Sequence, residues 1–246
     1  NWPPTTGNWQ LVSSHHPHGT PTGPSSATLS LMIRGLLSLG VLCLVAASVT
    51  VDGVAQEAPS YKESDFLSRT RRLTVEGRRA GEGYWSPDGR RLVFQSEREP
   101  GNPFYQIYTL DLVDGETRRV SPGFGKTTCA FFRPNSDEIL FASTHLDPRA
   151  VEKQKAELTQ RASGQERRYS WDFDEQYDLF ETDLASGKLN NLSKARGYDA
   201  EASWSPDGAL IAFASNRHAY TAPLAAEEQG DFNRDPSSQV DIYLMK

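Results

Sequence analysis

The chain is poor in several residue types that would make its function easy to read. It has two cysteines and two methionines in 246 residues. Cys43 sits in an apolar run near the N-terminus, and Cys129 lies far downstream in Cys-Ala-Phe-Phe. If the first leaves with a leader, one thiol remains, which excludes an intrachain disulfide and makes Cys129 a buried thiol by default. A basic surplus is also missing. Against 32 Asp and Glu stand 26 Lys and Arg, giving a net charge of −6, which argues against a general nucleic-acid binder. Catalytic signatures are absent too: no Gly-x-Ser-x-Gly elbow, no His-Glu-x-x-His, no Cys-x-x-Cys. No catalytic residue, metal site or cofactor is therefore expected in this chain. Gly123-Phe124-Gly125-Lys126-Thr127-Thr128 has the tail of a phosphate loop without its upstream glycine, and reads as a turn between strands. Asp231-Phe232-Asn233-Arg234-Asp235 starts like a calcium loop, but Pro236 replaces its glycine and Ile242 its glutamate.

One long uncharged apolar run is present, from Gly35 to Val51. Met32-Ile33-Arg34 precedes it and the small residues of Gly53-Val54-Ala55 follow. That layout is a secretory signal peptide over 32–55, cleaved after Ala55. The alternative is an uncleaved membrane anchor over 35–51. Residues 1–31, rich in Pro, Thr, Ser, Gly and His, read as disordered sequence upstream of the native start. Residues 56–68 read as a linker.

What remains is repetitive. Tyr84-Trp85-Ser86-Pro87-Asp88-Gly89 followed by Arg90 to Ser96 returns as Ser203-Trp204-Ser205-Pro206-Asp207-Gly208 followed by Ala209 to Ser215. Ser-Pro-Asp-Gly is a β-turn, with proline presetting φ and glycine free to take a positive one. A β-rich run follows each turn, then an alternating strand (Gln106 to Asp111; Val240 to Met245). Thr117 to Ser121 reads as a fourth strand. A middle copy carries Phe132-Arg133-Pro134-Asn135-Ser136 in place of the phrase, with strands at 139–144, 177–184 and 189–193. The step from Pro87 to Pro134 suits one four-stranded propeller blade of about 40 to 50 residues. The step to Pro206 is a blade plus an insertion. The expected class is all-β: blades of four antiparallel strands, three of them visible (about 82–121, 127–193 and 200–246). The propeller is incomplete, because closed ones have roughly four to eight blades. Arg71 to Thr74 reads as the fourth strand of a further blade, and Trp85 and Phe94 as packing residues.

Trp-Ser-Pro-Asp-Gly, an apolar strand ending in Ser-x-Arg (Ser96-Glu97-Arg98, Ser215-Asn216-Arg217), and the Gln-Ile-Tyr and Asp-Ile-Tyr strands resemble the WD40-like blades of TolB-type propellers. The resemblance covers about 71–246. It implies a bacterial periplasmic protein with a protein or peptide partner in an envelope or transport complex. The family's N-terminal α/β domain has no counterpart. Similar blades also form the N-terminal propellers of prolyl oligopeptidase-type serine peptidases and precede amidohydrolase domains. The alternative is thus a piece of such an enzyme, with its catalytic part beyond Lys246. The expectation is an incomplete propeller cut from a longer product, with edge-to-edge self-association as the other way to cover its edges.

Binding should reside on the insertions, since loops on a rigid scaffold carry recognition. The loop between second and third strands is short in the first blade and long in the others, over 145–176 and 218–239. Arg149 to Ala162 reads as a surface helix with Gly164 past its end. Arg168, Tyr169, Trp171, Asp172 and Asp174 follow, mixing anchor aromatics with charge. With His145, Arg217 and His218, these are the candidate partner-binding residues. The two histidines are taken as equivalent positions after second strands.

Overall fold

The computed structural model of the chain describes residues 61–165 and 172–246. The leader at 32–55, residues 1–31, and Arg168, Tyr169 and Trp171 lie outside the described residues. Residues 63–246 form one unit.

That unit holds three antiparallel sheets. The first orders β1 (Ala80–Trp85), β2 (Arg91–Ser96), β3 (Gln106–Asp111) and β4 (Thr117–Arg119). The second orders β5 (Thr127–Phe132), β6 (Glu138–Ser143), β7 (Asp178–Asp183) and β8 (Leu189–Asn191) in the same way. The third contains β9 (Ala200–Trp204), β10 (Ile211–Ser215) and β11 (Asp241–Met245). The all-β blade fold read from the repeat is the fold observed.

The repeated phrase makes the same turn twice. The Gly89 amide donates to the Ser86 carbonyl (2.9 Å) with φ at 70°. The Ser86 hydroxyl donates to Asp88 (2.6 Å) and accepts from the Arg91 amide (2.9 Å). Ser205, Asp207, Gly208 and Leu210 repeat these bonds. The middle copy has no glycine there. Its left-handed residue moves one place earlier, to Asn135 (φ 57°), which tolerates that conformation better than most side chains.

The blades stack through apolar faces. Val93 and Ile107 of the first meet Ala130, Phe132, Ile139 and Phe141 of the second. Leu140, Ala142 and Leu179 of the second meet Ala202, Ile211 and Phe213 of the third. Each innermost strand also carries a bulge whose residue is left-handed although it is not glycine: Glu82, Cys129 and Glu201, with φ of 50°, 53° and 54°. Such bulges bend the strand and re-aim one side chain, here at the same place in all three blades.

Two local expectations are corrected. Arg71 to Thr74 forms no strand, because no described strand lies beside it to pair with. Trp85 is exposed while its partner in the phrase, Phe94, is buried. The corresponding Phe132 and Trp204 are capped by arginines of the preceding blade, Arg91 (5.7 Å) and Arg133 (4.5 Å). No described residue does this for Trp85.

Candidate binding face

All three loops between second and third strands leave the same end of their sheets. In the second blade the loop contains α1 (Ala150–Ala162). Glu152 lies in its first turn and Arg161 in its last, favourable for the helix dipole, and Gly164 (φ 70°) takes the left-handed position past the end. In the third blade, α2 (His218–Thr221), α3 (Ala226–Arg234) and a 3₁₀ turn (Pro236–Gln239) fill the loop. These helices were not foreseen, and Asp231 to Arg234, the start of the calcium-like pattern, is helical within α3.

Although α1 belongs to the second blade, it is fastened to the first. Gln154 is buried; its Oε1 accepts from the Gly125 amide (2.8 Å) and its Nε2 donates to the Gly101 carbonyl (3.4 Å). Arg161 donates to the Pro103 carbonyl (2.8 Å) and pairs with Glu157 and Glu97. Glu97 is buried and also binds Arg79 (2.9 Å).

The far end of the same insertion is held by an ionic knot. Lys153 Nζ lies 2.7 Å from both Asp147 Oδ2 and Asp174 Oδ2. Lys126 Nζ lies 2.6 Å from Asp172 Oδ1 and 3.5 Å from Asp174 Oδ2, over the ring of Phe104 (5.3 Å). Burial alone would raise the Asp147 carboxyl, but the Lys153 ammonium and the Arg149 amide hold it below its usual range. Burial opposes the Lys153 charge, and the two aspartates outweigh it and raise its pKa. Both shifts favour the charged pair at neutral pH.

The third insertion joins on the other side. Glu175 pairs with Arg196 (2.9 Å), whose guanidinium lies over the Tyr220 ring (4.7 Å). Burial and then Glu175 push the Tyr220 hydroxyl up to about 12, so it stays a neutral donor. Tyr220 meets Phe232 of α3 edge to face (5.3 Å). Between the two insertions lies an open cleft of about 760 Å³, with Lys126, Lys153, Asp172, Asp174, Phe173 and Tyr220 among its lining.

Among the candidate residues, Asp172 and Asp174 line this cleft. His145 does not. Its ring packs on Phe180 (4.4 Å) and Phe124 (6.0 Å), Nδ1 sits 2.9 Å from the Ser143 hydroxyl, and burial lowers its pKa, so it is a neutral packing residue. Arg217 is committed to buried Asp199 (2.5 Å), whose pKa burial raises in spite of that partner. His218 is exposed at the start of α2. The two histidines are not equivalent. The glycine that leads into each first strand packs against Arg98, His145 and Arg217 in turn: Gly77, Gly125 and Gly197. His145 therefore corresponds to Arg217. Lys126, Lys153 and Tyr220 were missed; the first lay in the turn that resembled a phosphate loop, the second in a helix read only as charged.

The three sheets with the repeated turn phrase define a TolB-like propeller-blade fold. No protein-family model matches the chain. It is similar to the uncharacterized peptidase YuxL of Bacillus subtilis, 23% identical over 205 residues, which is 78% of this chain and 29% of that protein. The chain thus spans less than a third of that relative's length. In structure it is similar to a putative TolB from Agrobacterium tumefaciens (TM-score 0.41, 18% identity, covering 58% of this chain and 40% of that one). A puromycin-hydrolyzing peptidase of Mycobacterium tuberculosis is also similar (TM-score 0.40, 13% identity, 59% of this chain and 20% of that one). So is TolB from Acinetobacter baumannii (TM-score 0.38, 20% identity, 56% and 27%).

Proposed function

We propose that these blades are a non-catalytic scaffold whose insertion face takes up a peptide or a protein segment, in a protein exported to the bacterial periplasm. The observation that carries this reading is the cleft of about 760 Å³ between two insertions fastened to one end of the blades. Two ammonium groups and four carboxylates line it beside Phe104, Phe173 and Tyr220. The rings of Phe104, Phe173 and Tyr220 offer faces for cations, which favours a segment carrying Lys, Arg or a free amine. The test is fluorescence anisotropy of labelled hexapeptides. Cationic ones bind, acidic ones do not, the affinity falls with salt, and Asp172→Lys weakens it at least fivefold. Failure of every peptide to bind overturns the reading.

The match to a Bacillus peptidase supports a second reading, in which this arc belongs to a propeller that accompanies a peptidase domain. The cleft then meets a substrate peptide, and the chain itself still turns over no proline dipeptide reporter. A Gly-x-Ser-x-Gly in the parent reading frame decides for the second reading. Export is tested separately: expression in a bacterium yields a periplasmic product beginning at Gln56, and a cytoplasmic product that keeps residues 32–55 refutes it. Among the described residues no helix is long and apolar enough to cross a membrane.

A further inference from the structure

The first two blades meet along a groove of about 400 Å³, at the end of the sheets opposite the insertions. That volume lies within the roughly 300 to 1,000 Å³ of ordinary small-molecule sites. The first blade supplies Arg91, Thr109, Asp111 and Arg118, and the second supplies Thr182 and Asp183. Thr109 lies opposite Val93 and Thr182 opposite Ile139, and both partners belong to the core between these two blades. Residues opposite one another in a sheet share a face, so the two threonines approach the groove from its two walls. They are 6% and 3% exposed, and neither hydroxyl has a hydrogen-bond partner among the described residues. A buried hydroxyl without a partner is unfavourable, and here two of them line one hollow.

The junction between the second and third blades shows what else this place can hold. The register of Thr109 is Glu181 in the second blade, and the register of Thr182 is Met245 in the third. Glu181 pairs with Arg133 (3.4 Å), and Met245 packs on the core that contains Ile211 and Phe213. A longer acid tied to an arginine and a methionine thus stand where the first junction has two short hydroxyl side chains. The charges of the groove, by contrast, are already answered. Arg118 pairs with Glu116 (2.8 Å), Arg91 with Asp137 and Arg119 with Glu99. Asp111 accepts from the Val113 amide (2.8 Å), and Asp183 accepts from the amide and the hydroxyl of Ser186 (2.7 Å each). A ligand with a net charge would have to break one of these contacts.

We propose that this groove binds a neutral saccharide. A sugar hydroxyl both donates and accepts, which suits a lining that interleaves carboxylate oxygens, guanidinium N–H groups and two open hydroxyls. Arg118 reaches Glu116 through Nε, and its terminal amino groups have no hydrogen-bond partner among the described residues. Val120 and Leu184 add apolar surface for the C–H groups of a sugar ring. Binding leaves every ion pair of the lining in place and gives Thr109 and Thr182 the partners that the protein does not supply. The groove is separate from the peptide cleft, which lies at the other end of the blades.

The test is isothermal titration calorimetry of the full chain with glucose, galactose and mannose, each beside its uronic acid and its amino sugar, and with maltose and lactose. At least one neutral sugar should bind with a Kd near or below about 1 mM, and charged counterparts should bind at least tenfold more weakly. Thr182→Met places the third blade's residue in the groove and should weaken binding at least tenfold with an unchanged circular dichroism spectrum. Thr109→Val and Thr182→Val each remove one hydroxyl at nearly constant shape. Each should weaken binding at least threefold and yet raise the melting temperature, because a buried hydroxyl that the protein leaves unsatisfied is gone. A threonine with a purely structural role would lower the melting temperature instead. The proposal is overturned if no neutral sugar binds up to about 10 mM, or if uronic acids bind as tightly as their parents. Binding that Thr182→Met leaves unchanged overturns it too, as does a valine variant that melts lower.

Discussion

Replacing Lys153 by methionine isolates what the ionic knot contributes. The side chains of Asp147 and Asp174 are 2% and 5% exposed, and the Lys153 ammonium lies 2.7 Å from each. Methionine keeps the stem and removes the charge. Leaving a buried charge without its partner costs about 3 to 5 kcal/mol. Two features put this site at the low end. Lys126 stays 3.5 Å from Asp174, and Lys153 is itself 26% exposed, so water reaches the vacancy. The expected loss is about 3 kcal/mol, or roughly 10²-fold in an opening equilibrium. It should appear as local release of α1, since α1 is an insertion whose other anchors are Gln154 and Arg161, and the stacked faces of the blades do not include it.

The assay is native-state hydrogen exchange of the α1 amides, with Lys155→Met, exposed on the same helix, as control. The pH dependence gives a second check. In the native protein the Asp147 pKa is lowered, so its contribution is present above the unfolded value near 4 and is lost as pH falls through the lowered one. In the variant the unpaired carboxyl is raised instead, so the penalty exists only above that raised value. The gap between the two proteins must therefore close on acidification toward pH 4. Protection of α1 in Lys153→Met within threefold of native at pH 7, or a gap that does not close with acid, refutes the electrostatic account.

Three further outcomes follow from the geometry. A Cβ at Gly125 would lie 3.0 Å from the His145 backbone at a φ of 71°, whereas Gly115 (φ 80°) faces open space. Gly115→Ala should cost about 1 kcal/mol and Gly125→Ala at least twice that in urea denaturation; equal costs refute the close-approach reading. Burial, with Glu82 and Glu201 adding to it, pushes the Cys129 thiol up to about 12, so at pH 8 its alkylation should run roughly 10³-fold slower than a free thiol's. Mass mapping of the Cys129 peptide reads that rate, and alkylation near the free-thiol rate contradicts it. Phe132, at the stacking of the first two blades, should cost about 3 to 5 kcal/mol on truncation to alanine, and a loss below 1 kcal/mol refutes the packing assignment.

The blades were legible because their signals are local. Ser-Pro-Asp-Gly encodes its turn within a few residues, and the alternating strands beside it encode their own faces. Trp85 misled because its burial depends on an arginine from a preceding blade, which its own sequence cannot specify. The left-handed bulges at Glu82, Cys129 and Glu201 carry no marker, since neither Glu nor Cys favours that conformation. The glycines Gly77, Gly125 and Gly197 were in register and could have been found; aligning on them would have matched His145 with Arg217 and removed the false pairing with His218. The cleft was legible only through Asp172 and Asp174. Their partners Lys126 and Lys153 come from a turn and a helix that only the tertiary structure brings together.

A further regularity explains why the binding end is hard to read from the repeat. In each blade the residue before the first strand forms an ion pair with the loop after the second. The pairs are Arg79 with Glu97 (2.9 Å), Lys126 with Asp172 (2.6 Å) and Asp199 with Arg217 (2.5 Å). The polarity is reversed in the third blade. What recurs is thus a pair rather than a residue, and residue-by-residue comparison scores it as mismatch. Either polarity fastens the loop to the sheet equally well, because Coulomb attraction is symmetric in the two signs. The loops can therefore change length and charge while the stacked faces below remain fixed by volume, and this separation allows one blade scaffold to carry a short loop, a helix or a pair of helices on the same end.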